Sequence, residues 1–131
     1  MGFVLDTCIL IEIENGNKKV IRKINDLKHG QADEFFITFF TYCEFYYGAI
    51  NKSERNKQKV VERLKNYKLL NTSQITAITF CELLIESKNK GKPIPYFDLL
   101  IAALCLERGF TLLTQDKDFQ EVPGLKVKIL L

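Results

Sequence analysis

The sequence contains one histidine, His29, and no pair of cysteines in a CxxC arrangement. A single histidine excludes a ribonuclease mechanism that uses two of them. It also argues against a Ser-His-Asp triad, because no nucleophile and acid are grouped around it. His29 lies near a predicted helix end, where a cation is favourable, and this structural role is the one we expect for it. Without a CxxC pair, a zinc site is not expected either.

The sequence also lacks a glycine-rich phosphate loop, since Gly16, Gly30 and Gly48 are isolated. No apolar run is long enough to cross a bilayer, and the N-terminus lacks the basic start and uninterrupted apolar run of a signal peptide. We therefore expect a cytoplasmic protein that makes no use of a membrane.

The cysteines are far apart in the sequence, and each lies in an apolar stretch. This placement predicts four buried free thiols in a reducing compartment and no disulfide framework. They are Cys8, Cys43, Cys81 and Cys105.

The chain has 131 residues, of which 47% are hydrophobic and 27% charged, a composition that fits one globular domain spanning residues 1–131. The net charge of +3 permits a polyanionic partner but does not require one.

Short apolar runs predict strands that alternate with segments of helical spacing. The predicted strands cover residues 3–5, 35–38, 69–70, 110–114 and 126–131. The predicted helices cover residues 18–28, 41–50, 53–67, 73–89 (with Ser73 as the N-cap) and 96–108. This alternation predicts an α/β fold with a central parallel sheet and helices on both faces. In such sheets the functional site lies beyond the carboxyl ends of the strands.

Two acids follow the first two predicted strands. Asp6 ends a strand and precedes a helix-like segment, where an N-cap and a metal ligand are equally good explanations for it. Glu44 is the only charge in a markedly apolar stretch, and no basic residue lies three or four positions away on its predicted helix. A buried carboxylate without a cationic side chain needs another cation, which favours a functional role for Glu44.

Three further acids lie in the C-terminal half. Asp98 opens an apolar helix, where favourable interaction with the helix dipole explains it adequately. Asp116 and Asp118 follow Thr114 at the end of an apolar strand, and each alone is an ordinary loop acid. Carboxylates that converge at one end of a sheet repel each other unless divalent cations neutralise them. Oxygen ligands select Mg²⁺ or Mn²⁺, and phosphodiester hydrolysis is the natural chemistry of such a site.

These residues together resemble the PIN domain, in the form found in the VapC toxins of VapBC toxin–antitoxin systems. The resemblance rests on Asp6-Thr7 after a strand, on Glu44 with Gly48, on Asp98 at the head of Asp-Leu-Leu-Ile-Ala-Ala and on the segment Thr114–Phe119. It spans nearly the whole chain, and its two C-terminal motifs are the most specific. Cys8 is a departure, since the family often has Asn or Ser there, which puts one supporting hydrogen bond in doubt.

The resemblance implies a Rossmann-like α/β/α sandwich and an Mg²⁺- or Mn²⁺-dependent endoribonuclease that leaves a 5′-phosphate and a 3′-hydroxyl. It also implies a homodimer and inhibition by a VapB-like antitoxin. By motif match the catalytic and metal-binding residues are Asp6, Glu44, Asp98 and Asp116, which we call the acid cluster. Thr7, Thr114 and Asp118 have secondary roles.

Basic residues between 51 and 68 could steer an RNA backbone, although a solvated helix face explains each one singly. The candidates are Lys52, Arg55, Lys59 and Arg63.

Two alternative functions stay open: a processing or DNA-acting nuclease without an antitoxin, and a non-catalytic acidic-pocket signalling module. The second would need paired acids after the first strand and a lysine after a late strand, which Asp6-Thr7 and Thr114-Gln115 do not supply.

Overall fold

The computed structural model describes residues 2–28, 34–52 and 57–131, and its strands form one parallel sheet. The strands are β1 (Gly2–Leu5), β2 (Glu34–Thr38), β3 (Lys68–Leu70), β4 (Thr111–Thr114) and β5 (Lys126–Ile129). Within the described ranges the α-helices are α1 (Thr7–Glu14), α2 (Lys18–Leu27), α3 (Phe39–Lys52), α4 (Lys57–Leu64), α5 (Gln74–Asn89) and α6 (Tyr96–Arg108). A 3-10 helix covers Lys117–Glu121.

The strand order is β3-β2-β1-β4-β5, so the chain reverses its direction of winding between β1 and β4. Phe3 pairs with Thr111 and Leu5 with Leu113 across this central junction. In open α/β sheets, ligands bind beyond the carboxyl ends of the strands at such a reversal. The predicted parallel sheet is confirmed, and its order places the ends of β1 and β4 side by side.

Both faces of the sheet are covered by helices. Neighbouring residues of each central strand point to opposite sides, so one strand contributes to the core on each face. Val4 and Leu112 belong to the core under α5 and α6. Leu5 and Leu113 belong to the core under α1, α2 and α4. All four side chains are at most 1% exposed. The two cores hold the central strands rigidly, which fixes the loops at their carboxyl ends.

The N-cap predicted for α5 is confirmed. Ser73 caps α5 in a reciprocal capping box with Thr76. Gly109 follows α6 with φ 69°, the left-handed conformation that glycine adopts without strain.

Two predictions about helix bounds need correction. The helix predicted at 41–50 begins at Phe39 and runs to Lys52, because Thr38 accepts a hydrogen bond from the Thr41 backbone and caps it. The helix predicted at 53–67 covers only Lys57–Leu64 in the structure, and residues 53–56 lie outside the described residues. The 3-10 helix was not predicted. His29 also lies outside the described residues.

The cysteines are free, as predicted, but they are not all buried. Cys105 is buried and Cys8 is partly buried, whereas Cys43 and Cys81 are exposed. An apolar sequence neighbourhood does not decide which side of a helix a residue takes, so this prediction was wrong for two of the four. No helix within the described ranges is long and apolar enough to span a bilayer.

Candidate metal-binding site

Asp6 is buried directly after β1 and is held by hydrogen bonds on both carboxylate oxygens. Its exposure is 7%. One oxygen accepts the Thr7 backbone N–H at 2.9 Å, which makes Asp6 the N-cap of α1. The other accepts the hydroxyl proton of the buried Thr114 at 2.7 Å, across from the end of β4. The N-cap role is therefore real, and it also fixes the carboxylate at the junction of β1 and β4.

Cys8 contributes a third hydrogen bond to Asp6, where the family resemblance had put one in doubt. Its Sγ lies 3.5 Å from Asp6 Oδ2 and donates to it. Burial, and then the charge of Asp6, raise the pKa of this thiol to about 11. The thiol stays protonated at neutral pH and is a weak donor to the carboxylate.

Thr114 connects Asp6 to the acids after β4. Its hydroxyl oxygen accepts the Asp116 backbone N–H at 3.0 Å while its proton goes to Asp6. Asp116 is half-buried and caps the 3-10 helix, where one of its oxygens accepts the Asp118 backbone N–H at 2.9 Å. Asp118 itself is exposed. The turn of the chain after β4 thus brings Asp116 to the same edge of the sheet as Asp6.

Glu44 is exposed, which corrects the expectation of a buried carboxylate. It is still not a free surface acid, since the Thr7 hydroxyl donates to its Oε1 at 2.8 Å. Gly48, one turn further along α3, leaves the adjacent space open, because a side chain added there would meet nothing within 4 Å. Glu44 thus reaches from α3 towards the start of α1, next to Asp6.

Two buried threonines support this arrangement and were missed in the sequence. Thr38 and Thr41 are both 0% exposed, and their hydroxyl oxygens lie 3.4 Å apart. The Thr41 hydroxyl also lies 3.3 Å from that of Thr7. These hydroxyls join the end of β2 to the start of α1. Threonine is common in strands for steric reasons, so its identity alone gave no signal of this role.

Asp98 lies in the first turn of α6 and is half-buried. Its pKa is raised to about 6 by burial and then by the charges of four other carboxylates. In order of effect these are Asp6, Asp116, Glu44 and Asp118. Among the residues that the structure describes, no basic side chain contributes to this pKa. The structure therefore brings the four predicted acids into one electrostatic neighbourhood, with Asp118 at its edge.

Basic residues border this neighbourhood on one side. A depression of about 410 Å³ between α1, α3 and α4 is lined by Glu44 and by three of the predicted RNA-binding residues. They are Lys52, Lys59 and Arg63. Arg63 Nε lies 3.6 Å from the Glu14 carboxylate, while its side chain stays 59% exposed. Arg55, the fourth candidate, lies outside the described residues.

Residues 3–125 match the PIN domain family. The chain belongs to the PIN-domain family. It is 26% identical to "Ribonuclease VapC1" of Rickettsia felis, over 97% of this chain and 95% of that protein. It is 28% identical to "tRNA(fMet)-specific endonuclease VapC" of Salmonella typhimurium, over 98% and 97% of the two chains. A crystal structure of DNA-bound VapBC from Salmonella typhimurium superposes with a TM-score of 0.82 at 28% identity, over 100% and 99% of the chains.

The donor set of this PIN domain fits a hard divalent cation. PIN-domain ribonucleases generally use divalent metal ions. The acid cluster offers only carboxylate oxygens, and the pKa of Asp98 is raised by burial and then by the neighbouring carboxylates, with no opposing cation among the described residues. Among the residues described, no three Asp, Glu, His or Cys side chains are grouped closely enough to hold an ion unaided. Part of the cluster together with water would complete the shell, as is usual for Mg²⁺.

Proposed function

We propose that this PIN domain, a single nuclease domain over residues 1–131, is an endoribonuclease that uses Mg²⁺ or Mn²⁺ and acts on RNA in the cytoplasm. The observation that carries the proposal is the raised Asp98 pKa. Besides burial, it reflects four neighbouring carboxylates from three separate parts of the chain, with no compensating cation within the described ranges. A folded protein retains such repulsion where a bound cation offsets it.

The acid cluster would hold the ion, with Asp6 as its most rigid member. When bound, the ion would bind the scissile phosphate, lower the pKa of an attacking water and stabilise the leaving oxygen. The chain's own contribution is orientation. Thr114 fixes the Asp6 carboxylate and Thr7 fixes that of Glu44, so neither has to be ordered when the ion and the substrate arrive. Asp98 must lose its proton to serve as a ligand, and a neighbouring cation favours that loss.

The substrate backbone would cross the acid cluster and follow the basic depression. Lys52, Lys59 and Arg63 share that depression with Glu44, which supports a path for phosphates that starts at the site. We assign the same role to Arg55 from the sequence alone.

We also propose that this chain is the toxin of a toxin–antitoxin pair with a VapB-like antitoxin. The Salmonella typhimurium structure, which this chain matches over its whole length, is a VapBC complex.

We further expect the protein to form a homodimer. Three isoleucines on one side of α5, Ile75, Ile78 and Ile85, are 60%, 61% and 62% exposed, and a second copy would remove them from water.

The test is cleavage of a labelled single-stranded RNA by the purified protein. Treatment with EDTA should abolish cleavage, and Mg²⁺ or Mn²⁺ should restore it. Asp6→Asn is the matched negative variant, since it keeps the shape and removes the charge. Full activity in EDTA, or an active Asp6→Asn protein, would overturn the proposal. Loss of cleavage on addition of the antitoxin encoded next to this gene would support the pairing.

A further inference from the structure

A cavity of about 180 Å³ is lined by Asp118 and by Leu99, the residue that follows Asp98 on α6. It is bounded by the second half of α5, by the segment that leads into α6 and by the 3-10 helix. Drug-sized ligands occupy pockets of roughly 300–1,000 Å³, so this cavity has room for one small planar group only.

The floor of the cavity is apolar and rigid. Leu83, Leu99 and Val122 line it and are 8%, 1% and 5% exposed. The buried Ser87 hydroxyl fixes one wall by accepting the Ile94 backbone N–H at 2.8 Å. A preformed apolar slot binds a flat ring without first being ordered, which lowers the cost of binding.

The rim of the cavity is charged. Lys92 and Glu86 are exposed at the mouth, and Lys90 donates a hydrogen bond to the Glu121 carbonyl across it at 3.1 Å. In the part of the chain that the structure describes, the Glu86 carboxylate has no hydrogen bond or ion pair. The rim thus presents hydrogen-bond acceptors and donors together. This suits a nucleobase, whose edge carries both donors and acceptors.

Two residues of the cavity lining connect it to the acid cluster. Asp118 belongs to its lining, and the Asp118 backbone N–H donates to the carboxylate of Asp116, a member of the acid cluster, at 2.9 Å. Leu99, in its floor, directly follows Asp98 on α6. A strand of RNA held at the acid cluster would therefore pass near the mouth of the cavity.

We propose that this cavity binds one unpaired nucleobase of the substrate, adjacent to the phosphodiester that is cut. The inference rests on the proposed function, since it takes the acid cluster as the place of cleavage. Proteins read single-stranded RNA by receiving splayed bases on apolar or planar groups and bonding their edges. The slot selects a base and not a phosphate, because its floor is apolar. Lys92 at the rim is placed to contact the phosphate of the same nucleotide.

The test combines abasic RNA with a blocked cavity. A short RNA that the wild type cuts at one site is made with a single abasic nucleotide at each position near the cut. Wild-type cleavage should fall at least tenfold at one position and much less at the others. Glu86→Trp places a large ring at the mouth and should slow cleavage of intact RNA by a similar factor. The abasic position should then cause no further loss, because both changes remove the same interaction.

Matched variants separate this interaction from general damage. Glu82→Trp adds the same ring one turn earlier on α5, at an exposed position outside the cavity, and should behave as wild type. Val122→Phe fills the cavity from within and should reproduce Glu86→Trp; if Val122→Phe fails to fold, Glu86→Trp decides alone. An abasic penalty that persists in full in Glu86→Trp, or no sensitive position in wild type, would overturn the proposal. The proposal would also be overturned if a cavity variant kept the full loss of cleavage at the abasic position and lost only its inhibition by the antitoxin.

Binding without cleavage distinguishes this proposal from the proposed function. Affinity for the same RNAs is measured in EDTA by fluorescence anisotropy, with wild type and Glu86→Trp. The cavity predicts a loss at the abasic position in wild type that is absent in Glu86→Trp, whether or not the protein cuts RNA. Base-dependent binding without metal-dependent cleavage would support the base-binding role of the cavity and overturn the proposed nuclease function. Cleavage without base-dependent binding would support the nuclease function and overturn the role of the cavity.

Discussion

Thr114 donates its hydroxyl proton to Asp6 at 2.7 Å, and this hydrogen bond joins residues that are 108 positions apart in the chain. It connects the ends of β1 and β4, the two strands between which the sheet reverses its winding. The same hydroxyl accepts the Asp116 backbone N–H. One buried side chain thus bonds both the Asp6 carboxylate and the Asp116 backbone, and it connects two members of the acid cluster.

Thr114→Val should weaken the site while keeping its shape. It leaves one Asp6 oxygen without its strong donor and the Asp116 N–H without an acceptor, a cost of about 1–3 kcal/mol in unfolding free energy. Urea unfolding measures that cost, and calorimetry with Mn²⁺ should show weaker binding. Thr76→Val, which also removes a buried hydroxyl, should lose stability but keep Mn²⁺ affinity. Thr114→Ser should restore both. Unchanged Mn²⁺ affinity in Thr114→Val would separate Thr114 from the site.

Asp98 should make the metal-free protein less stable as the pH rises. Its pKa is raised from 3.8 to about 6 in the folded protein, so the folded state holds this proton more tightly than the unfolded state does. That stabilisation is complete below pH 3.8 and is lost as the pH rises through about 6. Asp98→Asn cannot ionise, so its melting temperature should exceed that of wild type at pH 7.5, with no such gain at pH 4.

A shift in melting temperature of the opposite sign would support a purely structural role for Asp98. A first-turn acid that only interacts with the dipole of α6 contributes about 0.3–1 kcal/mol, and Asp98→Asn would then melt below wild type at pH 7.5. Added Mg²⁺ gives a second comparison. It should raise the melting temperature of wild type more than that of Asp98→Asn, because only the folded wild type binds the ion through this carboxylate.

Glu44→Gln should reduce cleavage at least tenfold, which is about 1.4 kcal/mol of lost transition-state stabilisation. The Mg²⁺ concentration for half-maximal rate should also rise, because one anionic oxygen has been removed. Glu62→Gln is the control, an exposed acid on α4 that pairs with Lys65 at 2.9 Å. A Glu44→Gln enzyme with wild-type rate and an unshifted metal titration would leave three acids in the site.

Lys59→Ala should weaken RNA binding and reduce its salt dependence. Removing one cation that neutralises a phosphate lowers the slope of log K against log salt by about 0.7 for a single strand. The control is Lys126→Ala, an exposed lysine on β5 at the edge of the sheet. Equal slopes for wild type and Lys59→Ala, measured in EDTA, would show that the basic depression does not hold the RNA backbone.

The order of elements could be predicted because its signals are local, whereas each acid of the acid cluster had an ordinary explanation when taken alone and gained weight only in combination. Apolar runs predict β1 and β4, and the acids directly after them must meet at one edge of a parallel sheet. Ser73 and Gly109 mark helix ends through caps that depend on few residues. The family motifs supplied the assignment of Glu44, whose predicted burial was wrong.

The supporting hydroxyls could not be predicted, because their partners are distant in sequence. Thr41 contacts Thr7 across 34 positions, and no periodicity records such a pair. The exposure of Cys43 and Cys81 was missed for a related reason. Cys43 lies on α3 and Cys81 on α5, and both helices are apolar around much of their circumference. Composition does not tell which side of such a helix faces the sheet.

The most direct measurement is the position of Mn²⁺ in crystals of the protein grown or soaked with that ion. Its anomalous signal locates the ion independently of any activity. The account predicts a peak within coordination distance of Asp6 and at least one other member of the acid cluster, and its loss in Asp6→Asn. Full occupancy of Mn²⁺ at another place on the protein, with none at the acid cluster, would contradict the account.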